Sequence, residues 1–180
     1  MRCSNLSGIA KQQDMAKVGI FYGSSTGNTE FIAEKIKRFL DMEDVELFNV
    51  DSAEKQDIEK CDYLIFGLST WGLGDMQDDW EDFMSTLQET DISKKKTALF
   101  GLGDQEVYAE SFVDGMGHLY NMIKDKTNIV GEWPADDYRF SDSTALHKDK
   151  FVGLAIDQDN EASRSDERIR KWVAVLKKEF

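Results

Sequence analysis

Hydroxyl and amide side chains are concentrated in one loop near the start of the sequence, residues 23–29, which read Gly-Ser-Ser-Thr-Gly-Asn-Thr. The loop follows a short apolar run and precedes a helical pattern, so its backbone N–H groups and the helix dipole favour an anion. It contains no lysine or arginine, and it lacks the spacing of a nucleotide P-loop or a dinucleotide fingerprint. Neutral donors of this kind favour one terminal phosphate, although a polar turn with a helix N-cap is the plain alternative. The candidate residues are Ser24, Ser25, Thr26, Gly27, Asn28 and Thr29.

Two later loops combine aromatic residues with glycines, and each follows an apolar run. An indole at a strand end, such as Trp71, is suited to stacking on a flat ligand ring, and adjacent glycines permit close backbone approach. Tyr108 offers a second ring after a glycine-rich turn. Taken singly, each aromatic is more often a packing residue. The candidates are Ser69, Thr70, Trp71, Gly72 and Leu73 in one loop, and Gly101, Leu102, Gly103, Asp104, Gln105 and Tyr108 in the other.

The elements that must position these loops alternate between strands and helices. Apolar runs predict strands at Val18–Tyr22, Val45–Val50, Tyr63–Leu68, Thr97–Leu102 and Phe151–Ile156. Apolar residues at helical spacing predict helices across Phe31–Leu40, Trp80–Leu87, Phe112–Ile123 and a last helix that begins at Ser165, Asp166 and Glu167. This alternation predicts one α/β domain whose parallel sheet is covered by helices on both faces.

One segment, Glu132–Lys150, interrupts the alternation. It is polar, contains the single proline of the sequence, Pro134, and lies next to the last strand. We interpret it as a long insertion that divides the fifth strand, whose first part would begin at Ile129–Val130.

The three loops follow the first, third and fourth predicted strands. In parallel sheets of this kind, ligands bind beyond the carboxyl ends of the strands, where the strand order reverses. The loops therefore predict one pocket with an anion site at one end and an aromatic sandwich at the other. Flavin mononucleotide (FMN) has that shape.

From Lys17 to Phe180 the sequence resembles the flavodoxins of the long-chain type. Ser24-x-Thr26-Gly27-x-Thr29 is similar to the phosphate loop of that family, and Ser69-Thr70-Trp71-Gly72 to its first flavin loop. Gly101-x-Gly103-Asp104-Gln105 with Tyr108 is similar to its second flavin loop. Further stretches typical of long-chain members are Gln77-x-Asp79-Trp80-Glu81 and Phe151–Asp157.

The resemblance implies a flavodoxin-like, doubly wound, five-stranded parallel sheet of order 2-1-3-4-5, with the fifth strand interrupted. It also implies roles for the candidates: residues 24–29 for the phosphate, Trp71 for the inner flavin face and Tyr108 for the outer face. Backbone groups of Leu102, Gly103 and Asp104 would contact the pyrimidine edge, and Asp157 the ribityl chain. Val107 stands where many relatives have glycine, which would alter the tilt of Tyr108.

The resemblance further implies an electron-transfer protein without catalytic residues. It would hold FMN without a covalent bond, shuttle between semiquinone and hydroquinone at low potential, and substitute for ferredoxin-type carriers. Carboxylates near the ring would disfavour the anionic hydroquinone, and the candidates are Asp75, Asp104 and Glu106.

The net charge of −13 argues against a nucleic-acid partner, because phosphates would be repelled. It suits docking on basic-surfaced redox proteins. The resemblance implies a reductase such as ferredoxin/flavodoxin–NADP reductase and an electron acceptor or photosystem I, while a nitrogenase, pyruvate oxidoreductase or radical-enzyme pathway also fits. We expect a monomer.

The first sixteen residues are polar and are expected to form a disordered extension, with Met15 as a candidate original start, so that residues 17–180 make up the domain. No apolar run is long enough to span a bilayer, and we expect a cytoplasmic protein. Cys3 and Cys61 form no metal or disulfide pattern, and Cys61 is expected to be buried.

Three other functions fit parts of the pattern. Gly23–Gly27 matches the nucleophile elbow of α/β-hydrolases, with Ser25 as nucleophile and with Asp104 and His118 or His147 completing a triad. The elbow would lie on the first strand, however, with no preceding strand to supply an oxyanion-hole loop. A flavin enzyme of the same fold, such as a quinone reductase, would need a substrate pocket over the ring. A receiver domain would need an acid cluster beside the first strand, which is missing.

Overall fold

The computed structural model describes residues 17–180 of the chain. The extension expected in the first sixteen residues, and Cys3 with it, lies outside the described residues. The elements in chain order are β1 (Val18–Tyr22), α1 (Asn28–Leu40), β2 (Val45–Asn49), α2 (Lys55–Glu59), β3 (Tyr63–Trp71), β4 (Asp75–Met76), α3 (Asp78–Gln88), β5 (Lys96–Leu102), α4 (Asp114–Ile123), β6 (Asn128–Val130), β7 (Trp133–Pro134), β8 (Leu146–His147), β9 (Lys150–Phe151), β10 (Leu154–Ile156) and α5 (Ala162–Glu179).

The central sheet is parallel, apart from the short strand β4, and runs in the order β2-β1-β3-β5-β10. Its registers are regular: Val18 faces Val45 on one side and Tyr63 on the other, and β3 pairs with β5 along seven residues. The order confirms the predicted doubly wound fold, and it brings the loops after β1, β3 and β5 to one edge of the sheet.

The fifth position of the sheet is shared by two short strands. β6 pairs with Lys96–Ala98 of β5, and β10 pairs with Phe100–Leu102 farther along the same strand. The chain between them forms a small antiparallel sheet of order β7-β9-β8. The interrupted fifth strand is therefore confirmed, and its first part includes Ile129–Val130 as expected.

The predicted last strand, Phe151–Ile156, was wrong in its first half. Phe151 pairs with Trp133 and Leu146 in the small sheet, and the strand that joins the central sheet begins at Leu154. Gly153 separates the two parts because its Cα lies directly against the backbone of β5. A Cβ at this position would come within 2.2 Å of the Leu99 carbonyl oxygen.

The two faces of the sheet carry separate apolar cores. On one face, α1 contributes Ile32, Ile36 and Leu40 at helical spacing, and they pack with Trp172 and the other apolar residues of α5. On the other face, α3 and α4 bury Trp80, Phe83, Met116 and Leu119 against the sheet. Trp80 donates its indole N–H to the Gly67 carbonyl at 2.8 Å, which fixes α3 on β3.

Some local features differ from the sequence prediction. The short helix α2 was missed because five residues give no helical period, although Glu54 and Asp57 form a capping box there. α5 begins at Ala162, one turn before the acidic residues that were expected to start it. Cys61 is buried as predicted, and burial raises the pKa of its thiol to about 11.

In residues 17–180, no helix combines the length and the apolar character needed to cross a membrane.

Replacing Gly153 with alanine tests the close packing of the divided strand on β5. The added methyl group cannot be accommodated without moving backbone, so the free energy of unfolding should fall by about 1–3 kcal/mol. Urea unfolding measures the change, with Ser163→Ala, an exposed position in α5, as control. An unchanged midpoint for Gly153→Ala would show that the strand is not held this closely.

Candidate functional site

A cavity of about 270 Å³ opens at the carboxyl edge of the central sheet. The loops after β1, β3, β5 and β10 surround it, as expected for a sheet whose strand order reverses between β1 and β3. Its lining residues are Thr26, Asn28, Ser69, Thr70, Trp71, Gly72, Leu102, Gly103, Asp104, Tyr108, Gln158 and Asp159.

The loop after β1, residues 23–27, turns sharply into α1. Gly23 remains tied to the sheet through its N–H, which donates to the Gly67 carbonyl at 3.2 Å. Ser24 then accepts the N–H of Gly27 on its hydroxyl oxygen at 3.0 Å, which closes the turn. Gly27 has a φ of 88°, a left-handed conformation that glycine adopts without strain.

The first turn of α1 retains unused hydrogen-bonding capacity. Within the described chain, no side chain caps this helix, so the N–H groups that start it lack the partner that an N-cap residue supplies. Thr26 and Asn28 are exposed at the cavity, whereas Thr29 is buried beneath it. Together with the helix dipole, these groups form a site for an anion.

Trp71 forms one aromatic wall of the cavity. It ends β3 and begins a tight hairpin with β4, in which the Gly74 N–H donates to the Trp71 carbonyl at 3.1 Å. The indole N–H donates to the Ser69 hydroxyl at 2.9 Å, which holds the ring at the rim. The side chain is nevertheless 43% exposed, a large apolar surface for a residue at the end of a central strand.

The hairpin after β3 is anchored to the start of α4. Thr70 accepts the Gly115 N–H on its hydroxyl oxygen at 3.0 Å. Gly74 has a φ of 121° and lies so close to Asp114 that a Cβ would meet the carboxylate at 2.9 Å. Gly72 also has a positive φ, 54°, which is a backbone conformation that glycine adopts more easily than other residues. This conformation occurs at the rim of the cavity.

Tyr108 forms the opposite wall and is 46% exposed. The turn that carries it is organised by Asp104, whose carboxylate accepts the N–H groups of Glu106 at 2.9 Å and Val107 at 2.8 Å. The Asp104 carbonyl accepts the Tyr108 N–H at 3.1 Å. Asp104 therefore sets the position of the ring as well as bringing a charge to the cavity.

Asp157 lies behind the cavity wall and is fully buried. Its carboxylate accepts the N–H of Gln105 at 3.1 Å, of Asp159 at 3.1 Å and of Asn160 at 2.9 Å. The carboxylate thus joins the loop after β5 to the loop after β10. The expected contact between Asp157 and a ribityl chain gains no support from this burial, and its neighbours Gln158 and Asp159 reach the cavity instead.

Three carboxylates gather at this end of the cavity, on Asp104, Asp157 and Asp159. Burial and the nearby charges of Asp104 and Asp157 raise the pKa of Asp159 above its usual range. Partial burial by itself would also raise the pKa of Asp104. The N–H groups of Val107 and Glu106 and the Asn160 amide outweigh it, so the pKa of Asp104 is lowered. Asp104 therefore keeps its negative charge at neutral pH.

The insertion between β6 and β10 supports the loop that carries Tyr108. Gln105 is 3% exposed, and its side-chain oxygen accepts the Arg139 N–H at 2.6 Å. Two further N–H groups of the insertion, those of Ser141 and Asp142, donate to the Ala109 carbonyl at 2.7 and 3.0 Å. The loop is therefore held between Asp157 on one side and the insertion on the other.

The structure brings ten of the predicted site residues to the cavity wall, from all three predicted loops. The others lie around it. Ser24 and Gly27 close the turn before α1, Ser25 is exposed in that turn, and Thr29 is buried in the first turn of α1. Leu73 is exposed after β3, Gly101 is buried against α4, and Gln105 and Asp157 are buried. Sequence reasoning missed Gln158 and Asp159 as lining residues. Their position after the last strand was the available signal, because the parallel strands β1, β3, β5 and β10 all end at this edge.

The family model described as Flavodoxin matches residues 20–172 of the chain. A flavodoxin of Buchnera aphidicola, from the subspecies Acyrthosiphon pisum, is 45% identical over 164 residues, covering 90% of this chain and 96% of that protein. A Nostoc flavodoxin is 46% identical over 165 residues, covering 91% and 97%.

A solved structure extends the similarity to the backbone. The Fusobacterium nucleatum flavodoxin, whose crystal structure is of the protein bound to flavin mononucleotide, aligns with a TM-score of 0.87 and 34% identity. The alignment covers 92% of this chain and 99% of that one.

Gln105→Leu tests the support of the Tyr108 loop. The substitution keeps the buried volume but removes the acceptor of the Arg139 N–H, so the free energy of unfolding should fall by about 1–3 kcal/mol. Urea unfolding measures the change, and Gln88→Leu on an exposed face of α3 is the matched control. Equal effects of the two substitutions would contradict the supporting role.

Proposed function

The chain belongs to the flavodoxin family, and we propose on that basis that it is an electron carrier that holds one FMN without a covalent bond. The insertion in the fifth strand supports the long-chain type. The observation that carries the proposal is the cavity, which has an uncapped helix N-terminus at one end and two exposed aromatic rings at the other. The three predicted loops supply both ends.

The residues present fit FMN group by group. A phosphate matches the first turn of α1, where neutral N–H and hydroxyl donors converge without a side-chain cap. A flat ring matches the space between Trp71 and Tyr108, whose exposed faces would then be covered. Leu102 and Gly103 present the end of β5 to the edge of such a ring. Thr26 and Asn28 line the cavity at the start of α1, beside the proposed phosphate site.

Bound FMN would supply one-electron chemistry, and we propose that the working couple is semiquinone and hydroquinone at low potential. The chain's contribution is electrostatic. Asp104 and Asp159 line the cavity, and they disfavour extra negative charge beside them. We also propose that the peptide between Gly72 and Leu73 can reorient at the rim, because Gly72 has a positive φ and glycine changes its backbone conformation at little cost.

We propose basic-surfaced redox partners for the carrier, which would act as a monomer and substitute for ferredoxin-type carriers. The chain has a net charge of −13, and two carboxylates, those of Asp104 and Asp159, line the cavity. Leu73 is 90% exposed and Val107 is 69% exposed, and each adjoins a lining residue in sequence, Gly72 and Tyr108 respectively, so an apolar contact is available beside the cavity. A reductase such as ferredoxin/flavodoxin–NADP reductase and an acceptor such as photosystem I fit this surface.

The hydrolase alternative has less support. A nucleophilic serine would donate its hydroxyl proton to a histidine, whereas among the described residues the side-chain partner of the Ser25 hydroxyl is the Gln77 amide, which donates to it. His118 is exposed on α4, and His147 lies in β8 beside the Tyr120 ring. Among the described residues, neither histidine is a hydrogen-bond partner of Ser25 or Asp104, so the triad contacts are not formed.

Stepwise anaerobic reduction followed by visible spectroscopy tests the proposed function. The purified protein, or the apoprotein with added FMN, should show flavin bands and then pass through a blue one-electron-reduced form before bleaching. A protein that ignored added FMN would contradict the cofactor assignment. A single two-electron bleaching step would leave the cofactor in place but contradict the role as a one-electron carrier.

Asp104→Asn tests the electrostatic control of the potential. One carboxylate about 6 Å from a developing negative charge opposes it by roughly 3 kcal/mol at an effective dielectric constant near 20, which is about 120 mV for one electron. The amide retains an oxygen for the Glu106 and Val107 N–H groups, so the turn should persist. The midpoint potential of the second electron should rise by up to about that amount, and by less in high salt.

Asp91→Asn is the matched control, because it removes the same charge from the loop that precedes β5 at the opposite edge of the sheet. Potentiometric titration of both variants measures the effect. Equal shifts for the two substitutions would show that net charge, rather than the position of Asp104, sets the potential.

A further inference from the structure

We propose that Gln77 is a positioning residue for the phosphate loop, and that its side-chain amide orients the Ser25 hydroxyl toward the bound phosphate. The inference rests on the FMN function proposed above and assigns a role to a residue outside the three loops. Gln77 stands at the N-cap position of α3, and its side chain reaches across to the loop after β1.

The contacts of Gln77 connect two segments that are far apart in sequence. Its Nε2 donates to the Ser25 hydroxyl oxygen at 3.3 Å and to a carboxylate oxygen of Asp79 at 2.6 Å. Gln77 is only 2% exposed, although it is polar and adjoins a surface loop. A glutamine is rarely buried to this degree without a specific set of partners.

Asp79 determines which way the amide of Gln77 points. A carboxylate accepts hydrogen bonds and donates none, so the NH₂ group rather than the oxygen of Gln77 must face it. The same NH₂ group then faces Ser25, and the Ser25 oxygen acts as the acceptor. Its single hydroxyl hydrogen is left free to donate elsewhere, and Ser25 is exposed beside the first turn of α1.

The side-chain oxygen of Gln77 provides a second observation. Within the described residues, the Gln77 Oε1 atom is buried and has no hydrogen-bond partner. A buried carbonyl oxygen without a partner destabilises a fold, so this arrangement indicates a role for the donor half of the same amide. An apolar side chain would avoid the penalty but could not donate to Ser25.

Gly23 makes the close approach of Gln77 possible. A Cβ on Gly23 would come within 2.1 Å of the Gln77 side-chain oxygen and 2.7 Å of the Trp80 ring. Trp80 and Gly23 also share one acceptor, the Gly67 carbonyl. The start of α3 therefore holds the first residue of the phosphate loop by packing and its third residue by a hydrogen bond.

This geometry predicts an effect that depends on the phosphate. Riboflavin has the ring and ribityl chain of FMN but no phosphate, so it makes no use of an oriented Ser25 hydroxyl. Loss of the Gln77 amide should therefore weaken FMN binding and leave riboflavin binding unchanged. A general disturbance of the loop or of α3 would weaken both ligands alike.

Gln77→Met tests the proposal, because methionine has a similar length and shape but no donor. Apoprotein is titrated with FMN and, separately, with riboflavin, and quenching of flavin fluorescence gives each dissociation constant. The FMN dissociation constant should rise by about five- to tenfold, and the riboflavin constant should not change. Gln88→Met, at an exposed position of the same helix, is the matched control and should leave both constants unchanged.

A double-mutant cycle with Ser25→Ala identifies the route of the effect. If Gln77 acts through the Ser25 hydroxyl, Gln77→Met should cause no further loss of FMN affinity in the Ser25→Ala background. Fully additive losses would overturn this route.

If Gln77→Met does not fold, as judged by circular dichroism, Asp79→Asn takes its place. That change removes the carboxylate that fixes the amide, so FMN alone should bind more weakly.

The remaining outcomes distinguish a failure of the proposed FMN function from a failure of the proposed role of Gln77. Wild-type apoprotein that binds neither ligand would overturn the proposed FMN function. Wild-type binding of FMN, with equal affinity in the Gln77 or Asp79 variant, would overturn only the role of Gln77. Equal weakening of FMN and riboflavin would also overturn it, because the effect would then not depend on the phosphate.

Discussion

Among residues 17–180, no side chain caps the N–H groups in the first turn of α1, and the organisation of the site depends on this unused hydrogen-bonding capacity. A helix that begins in this way at the edge of a parallel sheet is stabilised by an anion. Ser24 and the left-handed Gly27 close the turn without occupying the donors. Gln77 reaches the same loop from α3, so the anion end of the cavity is held by both faces of the sheet.

The opposite end of the cavity combines negatively charged side chains with exposed aromatic rings. Asp104 and Asp159 lie at the cavity, and Asp157 lies buried behind them. Two of these carboxylates also have a structural task, since Asp104 and Asp157 accept backbone N–H groups that shape the loop of Tyr108. The charges that would set a low potential are thus fixed by the same hydrogen bonds that position the ring.

The sequence was informative where residue type and strand-end position coincide. Trp71 and Tyr108 could be assigned because both follow apolar strands in glycine-containing loops that the predicted sheet brings to one edge, and the structure places both at one cavity. Contacts over long sequence separations could not be predicted. Asp157 binds the N–H of Gln105, and Gln77 binds Ser25, each across 52 residues. Gly153 shows the same limit, because its close approach to Leu99, which divides the last strand, leaves no periodic pattern.

The crystal structure of the protein with FMN tests the central claim most directly, because that claim assigns the two ends of one cavity to the two ends of one ligand. The account predicts phosphate oxygens about 3 Å from N–H groups of the first turn of α1 and from the Ser25 hydroxyl. It predicts the ring between Trp71 and Tyr108. A phosphate in solvent, or a ring bound outside the two aromatic side chains, would contradict it.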